Sequence, residues 1–272
     1  MRVREQRAAS IAQKVKSREQ RRRAIGLVSA LCVLFSVAGA CNTTNTGPPR
    51  ADVVTQIPWS APETHTYELR VNNDLKAKTT LSIAKDGDAF VLTQRTADDI
   101  GNMDESITHV DGTTLKPLAN THSVTDKDQR RVADASYEDV DKDCSSKRVV
   151  RITQNTYKPP TADKPDSTRS NPLCVPEHAY DNDSSLFLWR TLKFEKGYTV
   201  TYAAVFSNRR DTQTVTLTVK DKLTMKTPAG DFEVWQVDLN ADQVTQQAWF
   251  ATTPDHKLVA YQNESFFFRL LE

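Results

Sequence analysis

The chain has 272 residues, 38% of them hydrophobic, with 36 Lys and Arg against 35 Asp and Glu. This near-neutral balance excludes a uniformly basic nucleic-acid-binding protein, and the apolar fraction is enough for a sizeable folded core. Nine of the basic residues lie within residues 1–23. Without residues 1–40, 27 basic residues remain against 33 acidic ones, a formal charge of −6 that favours solubility.

The first forty residues have the three parts of an export signal. The basic tail 1–23 precedes an uncharged apolar core, 24–40, and small residues stand immediately before Cys41. This order is typical of secretory signals. We therefore predict a lipoprotein-type signal segment over residues 1–40 and an exported protein from Cys41 onwards.

The residues Val37-Ala38-Gly39-Ala40-Cys41 resemble a bacterial lipobox, in which the cysteine is acylated before cleavage, although Ala38 stands where Leu is usual. Two alternatives remain: cleavage after Ala38 or Ala40 without a lipid, and an uncleaved anchor, since 17 apolar residues lie at the short end of a bilayer span. All three place the domain outside the cytoplasm. We expect diacylglycerol on Cys41, with fatty acyl chains such as palmitate holding the protein in the cell envelope, on the periplasmic or outer face of a membrane.

Residues 41–58 are rich in Asn, Thr, Gly and Pro and are predicted to form a flexible tether. From residue 59 to 272 the dominant hydrophobic period is two, which is typical of half-buried strands. Turn signals at Asn72-Asn73-Asp74, Asp86-Gly87 and Thr227-Pro228-Ala229-Gly230 separate these strands. We predict one all-β domain, an antiparallel β-barrel or strongly curved sheet of about ten strands. Residues 158–173 hold four prolines and are predicted to be a long surface loop.

One segment departs from the strand period. Possible N-cap residues at 181–185 precede Leu186-Phe187-Leu188-Trp189-Arg190-Thr191-Leu192, which is apolar on nearly every side. We predict a short helix, Ser185–Leu192, that is buried inside the sheet.

The four cysteines have separate predicted fates. Cys32 lies in the signal core, and Cys41 takes the lipid. Cys144 and Cys174 remain as an even pair in an oxidising compartment and are predicted to form a disulfide.

No GxSxG, HExxH or CxxC motif and no phosphate-binding Gly loop is present in the sequence, so no catalytic residue, cofactor or metal site is predicted. The five histidines are scattered; His109 and His122 could meet across neighbouring strands, as a polar pair on a sheet face rather than a metal site. Six aromatic residues are predicted to face the interior, where they form either a packed core or the wall of a ligand cavity: Trp189, Tyr198, Tyr202, Phe206, Trp235 and Trp249.

Four blocks of the sequence resemble a bacterial envelope domain of unknown function, number 3108 in that naming, over roughly residues 58–264. The blocks are residues 181–198, Thr227-Pro228-Ala229-Gly230-Asp231-Phe232 with Glu233-Val234-Trp235, Trp249-Phe250-Ala251 with Leu258-Val259, and Gly112-Thr113-Thr114-Leu115-Lys116-Pro117. The resemblance implies an exported antiparallel β-barrel-like fold that is often lipid-anchored. It supplies no reaction and no ligand.

We therefore expect a non-enzymatic envelope lipoprotein that contacts the membrane through the lipid on Cys41. It would bind an apolar small molecule or lipid, or a partner in the envelope, and no nucleic acid. The alternative is a structural scaffold that docks another envelope protein through the sheet surface or loop 158–173. A hydrolase with dispersed catalytic residues is the least favoured reading.

Overall fold

The computed structural model describes residues 53–139, 144–145, 148–241 and 244–272. The predicted signal segment, Cys41 and most of the tether lie outside these ranges. The last residues of the predicted tether contact the domain: Val53 is fully buried, and both N and Oγ1 of Thr55 donate to the carbonyl of Thr191, at 3.0 and 2.6 Å. Within the described ranges, no helix has the length and apolar character needed to cross a bilayer.

Fifteen strands form the domain. The first eight are β1 (Glu63–Val71), β2 (Asp74–Asp86), β3 (Ala89–Ala97), β4 (Met103–Asp111), β5 (Pro117–Thr125), β6 (Arg130–Glu138), β7 (Arg148–Tyr157) and β8 (Ser167–Val175). The other seven are β9 (Ala179–Asp181), β10 (Thr199–Phe206), β11 (Asp211–Thr227), β12 (Gly230–Ala241), β13 (Val244–Ala251), β14 (Leu258–Gln262) and β15 (Phe267–Leu270).

All fifteen strands belong to one nearly closed, barrel-shaped sheet in the order β8-β7-β6-β5-β4-β3-β2-β1-β15-β14-β13-β12-β11-β10-β9. From β1 to β8 and from β10 to β15, neighbours along the chain pair antiparallel, and β1 pairs antiparallel with β15, which joins the two ends of the domain. The parallel pair is β9 with β10. The sheet therefore ends at β8 on one side and at β9 on the other.

The sheet has fifteen strands rather than the expected ten or so, and the prediction for residues 158–173 was wrong for its second half. Residues 167–173 belong to β8. The polar, proline-containing sequence showed no strand period because residues 167–172 are exposed on both faces of the strand. The strand β9 has only three residues, too few to show a period.

Turn chemistry explains the meander at the start of the domain. The β1–β2 turn consists of Asn72 and Asn73, with φ of 51° and 69°. A two-residue hairpin turn of type I′ requires positive φ at both positions, which Asn tolerates better than most residues. The predicted hairpin at Asp86-Gly87 is confirmed, since β2 and β3 pair from Asp86 and Ala89 onwards.

The two ends of the sheet overlap through side chains. Alternate residues of a strand point to opposite faces, so Ala203 and Val205 of β10 face away from Tyr202. These two residues join one buried cluster with residues of β6, β7, β8 and β9: Ala135, Tyr137, Val150, Ile152, Val175 and Ala179. The β6–β8 end of the sheet therefore packs against the outer side of β10.

A ten-residue helical segment, residues 182–191, connects β9 to β10. It consists of the helix α1 (Ser185–Leu188) between two 3-10 turns, Asn182–Ser184 and Trp189–Thr191. The side chain of Asp181 caps its start by accepting a hydrogen bond from the N–H of Asp183. Its apolar side chains are buried, as predicted: Leu186, Phe187, Leu188 and Trp189, followed by Leu192.

The β11–β12 hairpin forms a second, smaller core on the outer face of the sheet. The N–H of Ala229 in its turn donates to the carbonyl of Leu270, at the end of β15. Beneath this hairpin lies a cluster of apolar residues from β11 to β15: Val234, Trp249, Ala251, Val259 and Ala260, with Met225, Phe232 and Phe267. The Thr-Pro-Ala-Gly turn thus closes the hairpin over the outer sheet face.

Candidate functional site

The helical segment is held inside the sheet by polar contacts as well as by apolar packing. The Nε1 of Trp189 donates to the hydroxyl of Tyr202 at 2.9 Å, and the Oγ of Ser185 lies 3.3 Å from the same hydroxyl. On the opposite side, the ring of Trp189 packs 6.1 Å from that of Tyr261 on β14. Burial raises the pKa of Tyr202 to about 12, so its hydroxyl stays protonated.

A buried ion cluster joins the start of the segment to β4 and β5. The Nε2 of His122 lies 3.0 Å from Oδ1 of Asp104, and its Nδ1 lies 3.0 Å from Oδ2 of Asp183. The side chains of His122 and Asp104 are at most 5% exposed, and that of Asp183 is 8% exposed. The imidazole of His122 is therefore held between two buried carboxylates, one at each ring nitrogen.

Neutral hydrogen-bonding groups surround this cluster. The Nδ2 of Asn120 donates to Oγ1 of Thr108 at 2.9 Å and to Oδ2 of Asp183 at 3.3 Å. The Oγ of Ser207, just after β10, donates to Oδ1 of Asn120 at 3.2 Å. Buried polar groups are costly unless hydrogen-bonded, and here they connect β4, β5 and β10 to the helical segment.

A second buried acid lies beside this network. The hydroxyl of Tyr137 on β6 donates to Oδ2 of Asp181 at 2.5 Å, and both side chains are largely inaccessible. Burial, followed by the negative charge of Asp183, raises the pKa of Asp181 to about 7. Burial and the adjacent Asp181 also raise the pKa of Tyr137 well above its usual value.

The geometry of the ion cluster fits a structural role, in which it fixes the start of the helical segment, better than the role of a catalytic base. Ser106 pairs with His122 across β4 and β5, which brings a serine, a histidine and an aspartate to one face. However, both ring nitrogens of His122 point at carboxylates, so neither nitrogen faces Ser106. Among the described residues, no group of three or more His, Cys, Asp or Glu side chains could hold a metal ion.

The other end of the helical segment is fixed by Arg190. Its side chain is 4% exposed, and its guanidinium donates to both oxygens of Glu63 at 2.5 and 3.2 Å and to the carbonyl of Asp255 at 2.8 Å. It also stacks 5.2 Å from the ring of Trp59. Burial opposes ionisation of Glu63, but hydrogen bonds from His65 and Arg190 outweigh it and lower the pKa of Glu63 to about 2.

The backbone N–H and C=O groups that could pair with a partner strand lie at the two edges of the sheet. The β9 edge is unsuitable, because all three of its residues are buried. In contrast, β8 pairs only with β7 among the described strands, and six consecutive residues of it, 167–172, are exposed. A disulfide between Cys144 and Cys174, with Cα atoms 5.5 Å apart, ties the end of β8 to the segment before β7 and confirms the predicted pairing.

A cleft lies beside the middle of β8. It is open to solvent, has a volume of about 200 Å³ and is lined by Asn171, Pro172 and Leu173 of the strand and by Arg209 and Arg210 of the β10–β11 turn. The guanidinium of Arg209 stacks 4.1 Å from the ring of Phe206. With its amide oxygen turned towards the turn, Asn171 accepts a hydrogen bond from Nη1 of Arg210 at 3.1 Å.

The aromatic residues predicted to face the interior divide into three groups. Trp189 and Tyr202 lie inside and touch each other, and Phe206 is buried on the same face of β10 as Tyr202. Tyr198 and Trp235 are only half-buried. The prediction was wrong for Trp249, which is buried on the outer face beneath the β11–β12 hairpin, with its ring 6.1 Å from that of Phe267.

The expected pairing of His109 with His122 was also wrong. His109 pairs with Ala119 and His122 with Ser106, so the two rings lie on opposite faces of the sheet.

The sequence did not predict that the charged residues Asp104, Asp183 and Arg190 are buried. The strand period places Asp104 on the face of β4 opposite Ile107 and His109, but the sequence does not show which face is buried.

Comparison with known proteins gives a family but no activity. No curated protein matches the chain. Two solved structures match the chain. A β-barrel-like protein of the domain of unknown function DUF1849 from Brucella abortus is 11% identical, with a TM-score of 0.44, covering 77% of this chain and 94% of its own. A protein from Bacteroides fragilis NCTC 9343 that is thought to be exported, with a YmcC-like fold, is 10% identical, with a TM-score of 0.31, covering 80% and 98%.

The family model described as "Protein of unknown function (DUF3108)" matches residues 66–267, which include all strands from β2 to β14, the helical segment and the Thr-Pro-Ala-Gly turn. This chain therefore belongs to the DUF3108 family.

Proposed function

We propose that the protein is a non-enzymatic, lipid-anchored docking protein of the cell envelope, which binds an extended segment of a partner protein along β8. One observation carries the proposal: β8 is a nine-residue strand, paired on one side only within the described sheet, with residues 167–172 exposed. The unpaired N–H and C=O groups of such an edge are a template for another strand.

The disulfide supports this role. Edge strands that bind well are preorganised, because ordering a strand at the moment of binding costs conformational entropy. The Cys144–Cys174 bridge fixes the end of β8, and the hydroxyls of Thr153 on β7 and Thr168 on β8 donate cross-strand hydrogen bonds to Ser170 and Asn155, at 3.2 and 2.8 Å. Pro172 lacks an N–H, so the docking groups lie at residues 167–171.

The alternative function, binding of an apolar molecule in the barrel, has less support. The helical segment occupies the interior, with Phe187, Leu188 and Trp189 each at most 5% exposed. Hydrogen bonds and ion pairs anchor it at both ends, through Asp183 and Arg190. An apolar ligand would have to displace these contacts, whereas docking at β8 leaves them intact.

The test uses two adjacent proline variants. Consecutive N–H groups of a strand point to opposite sides. One of the variants Arg169→Pro and Ser170→Pro therefore loses a hydrogen bond to β7, and the other, the outward-facing proline variant, loses only an N–H group that points away from β7. The outward variant is recognised by its near wild-type melting temperature. An alanine at the same position, Arg169→Ala or Ser170→Ala, controls for the lost side chain.

Binding is measured with a photoreactive side chain at Thr168 in intact cells, and with the same group at the exposed Thr245 of β13 as a control. We expect a partner that is crosslinked from position 168 but not from 245, and that is lost in the outward-facing proline variant. Equal products from both positions, or crosslinking that neither proline affects, would refute docking at β8.

A further inference from the structure

The cleft beside β8 gives the docking edge a chemical preference. Its five lining residues include two arginines, and no acidic residue among the described part of the chain lines it. A third arginine, Arg169, is exposed on β8 itself, two residues from Asn171. This local positive charge contrasts with the formal charge of −6 of the chain after residue 40.

The two arginines of the cleft are held in place. The ring of Phe206 supports the guanidinium of Arg209, and Asn171, with its amide oxygen turned towards the turn, accepts from Nη1 of Arg210. A planar guanidinium binds a carboxylate through two parallel hydrogen bonds, and a preorganised one loses less conformational freedom on binding. A lysine at either position would act only as a point charge.

We propose that the cleft binds the carboxylate of an Asp or Glu side chain in the extended segment that pairs with β8. Three residues of β8 form one wall of the cleft. A strand added to β8 therefore passes beside it, and a side chain of that strand can enter. This inference rests on the proposed docking at β8 and adds the partner chemistry: an extended, acidic segment.

The experiment is a selection of displayed, fully degenerate ten-residue segments on the purified protein with its disulfide intact. A parallel selection uses the outward-facing β8 proline variant, which separates segments that need the β8 edge from those that bind elsewhere. We expect the β8-dependent segments to share Asp or Glu at one position. In a selected segment, Glu→Gln at this position should weaken binding by at least about threefold.

Arg209→Gln and Arg210→Gln should each reduce that difference between the Glu and Gln segments, while the matched control Arg95→Gln, an exposed arginine on β3, should preserve it. Melting temperatures near that of the wild type show that the variants fold. Selection of β8-dependent segments without an acidic preference would overturn this inference and leave the docking function standing. Failure to select any β8-dependent segment would overturn both.

Discussion

The hydroxyl of Tyr137 on β6 donates a 2.5 Å hydrogen bond to the buried carboxyl of Asp181, at the entry to the helical segment. This bond crosses the overlap between the two ends of the sheet, because β6 belongs to one end and β9 to the other. The same two residues therefore link the two ends of the sheet and fix the start of the helical segment.

The raised pKa of Asp181 predicts a pH-dependent stability. Its ordinary value is 3.8 and its folded-state value is about 7. A carboxyl with a raised folded-state pKa favours folding while it is protonated, and this contribution is lost as the pH rises from about 4 through 7. Asp181→Asn, which cannot ionise, should lack this loss.

The measurement is the free energy of unfolding in urea between pH 4 and 8. The difference between Asp181→Asn and the wild type should move in favour of the variant up to about pH 7 and stay level above it. The exposed Asp163→Asn serves as the control and should show no such trend. Parallel pH curves for wild type and Asp181→Asn would contradict the assignment.

Trp189→Ala should destabilise the domain strongly. The side chain is 5% exposed, packs against Tyr261 and donates to Tyr202, so its removal leaves a cavity and a buried hydroxyl without its donor. Such truncations cost about 3–5 kcal/mol. Trp235→Ala, at a half-buried ring, should cost clearly less. Coincident urea midpoints for Trp189→Ala and the wild type would show that the helical segment is peripheral.

Alternation along the chain predicted most of this sheet, because strands with one wet face carry the period in their sequence. The alternation at residues 200–206 and 232–239, for example, falls inside β10 and β12. The period could not predict β8, since a strand exposed on both faces needs no apolar residues. It also could not tell inside from outside for Trp249, because the β11–β12 hairpin buries the outer face as well.

The interior ion cluster could not be predicted from the sequence, for a related reason. On β4 the inward-facing side chains are polar, Asp104, Ser106 and Thr108, and the apolar Ile107 faces outwards. These inward-facing side chains are polar because they face the start of the helical segment, which brings Asp183 to the same place. Only the folded chain joins residues that are about sixty positions apart in sequence.

Loss of the disulfide should loosen β8 more than the rest of the domain. The bridge closes a loop with a sequence separation of 30 residues, and a crosslink of this size contributes roughly 3–4 kcal/mol by restricting the unfolded chain. Cys144→Ser with Cys174→Ser should lower the urea midpoint and speed amide exchange in β8. Exchange in β8 equal to that of the wild type would show that β7 pairing alone holds the edge.

Lipidation at Cys41 is tested independently of the fold. The small residues before Cys41 and the apolar core 24–40 predict acylation there. A metabolically supplied alkyne fatty acid should label the wild type and fail to label Cys41→Ser, while Cys32→Ser should remain labelled. Labelling of Cys41→Ser at the wild-type level would exclude Cys41 as the lipid site.

Gly112 should be intolerant of even a methyl group. It follows β4, and its N–H donates to the carbonyl of Asp88 in the β2–β3 turn at 3.0 Å. A Cβ at this position would lie 2.1 Å from that carbonyl oxygen, a contact between backbone groups that no side-chain rotation can relieve. Gly112→Ala should therefore push the β2–β3 and β4–β5 turns apart and cost about 1–3 kcal/mol. The neighbouring Thr113→Ala keeps the backbone hydrogen bond to Asp111 and should stay within about 0.5 kcal/mol of the wild type. Equal urea midpoints for both variants would mean that the two turns are not in contact in solution, and that the Gly-Thr-Thr-Leu block has another role.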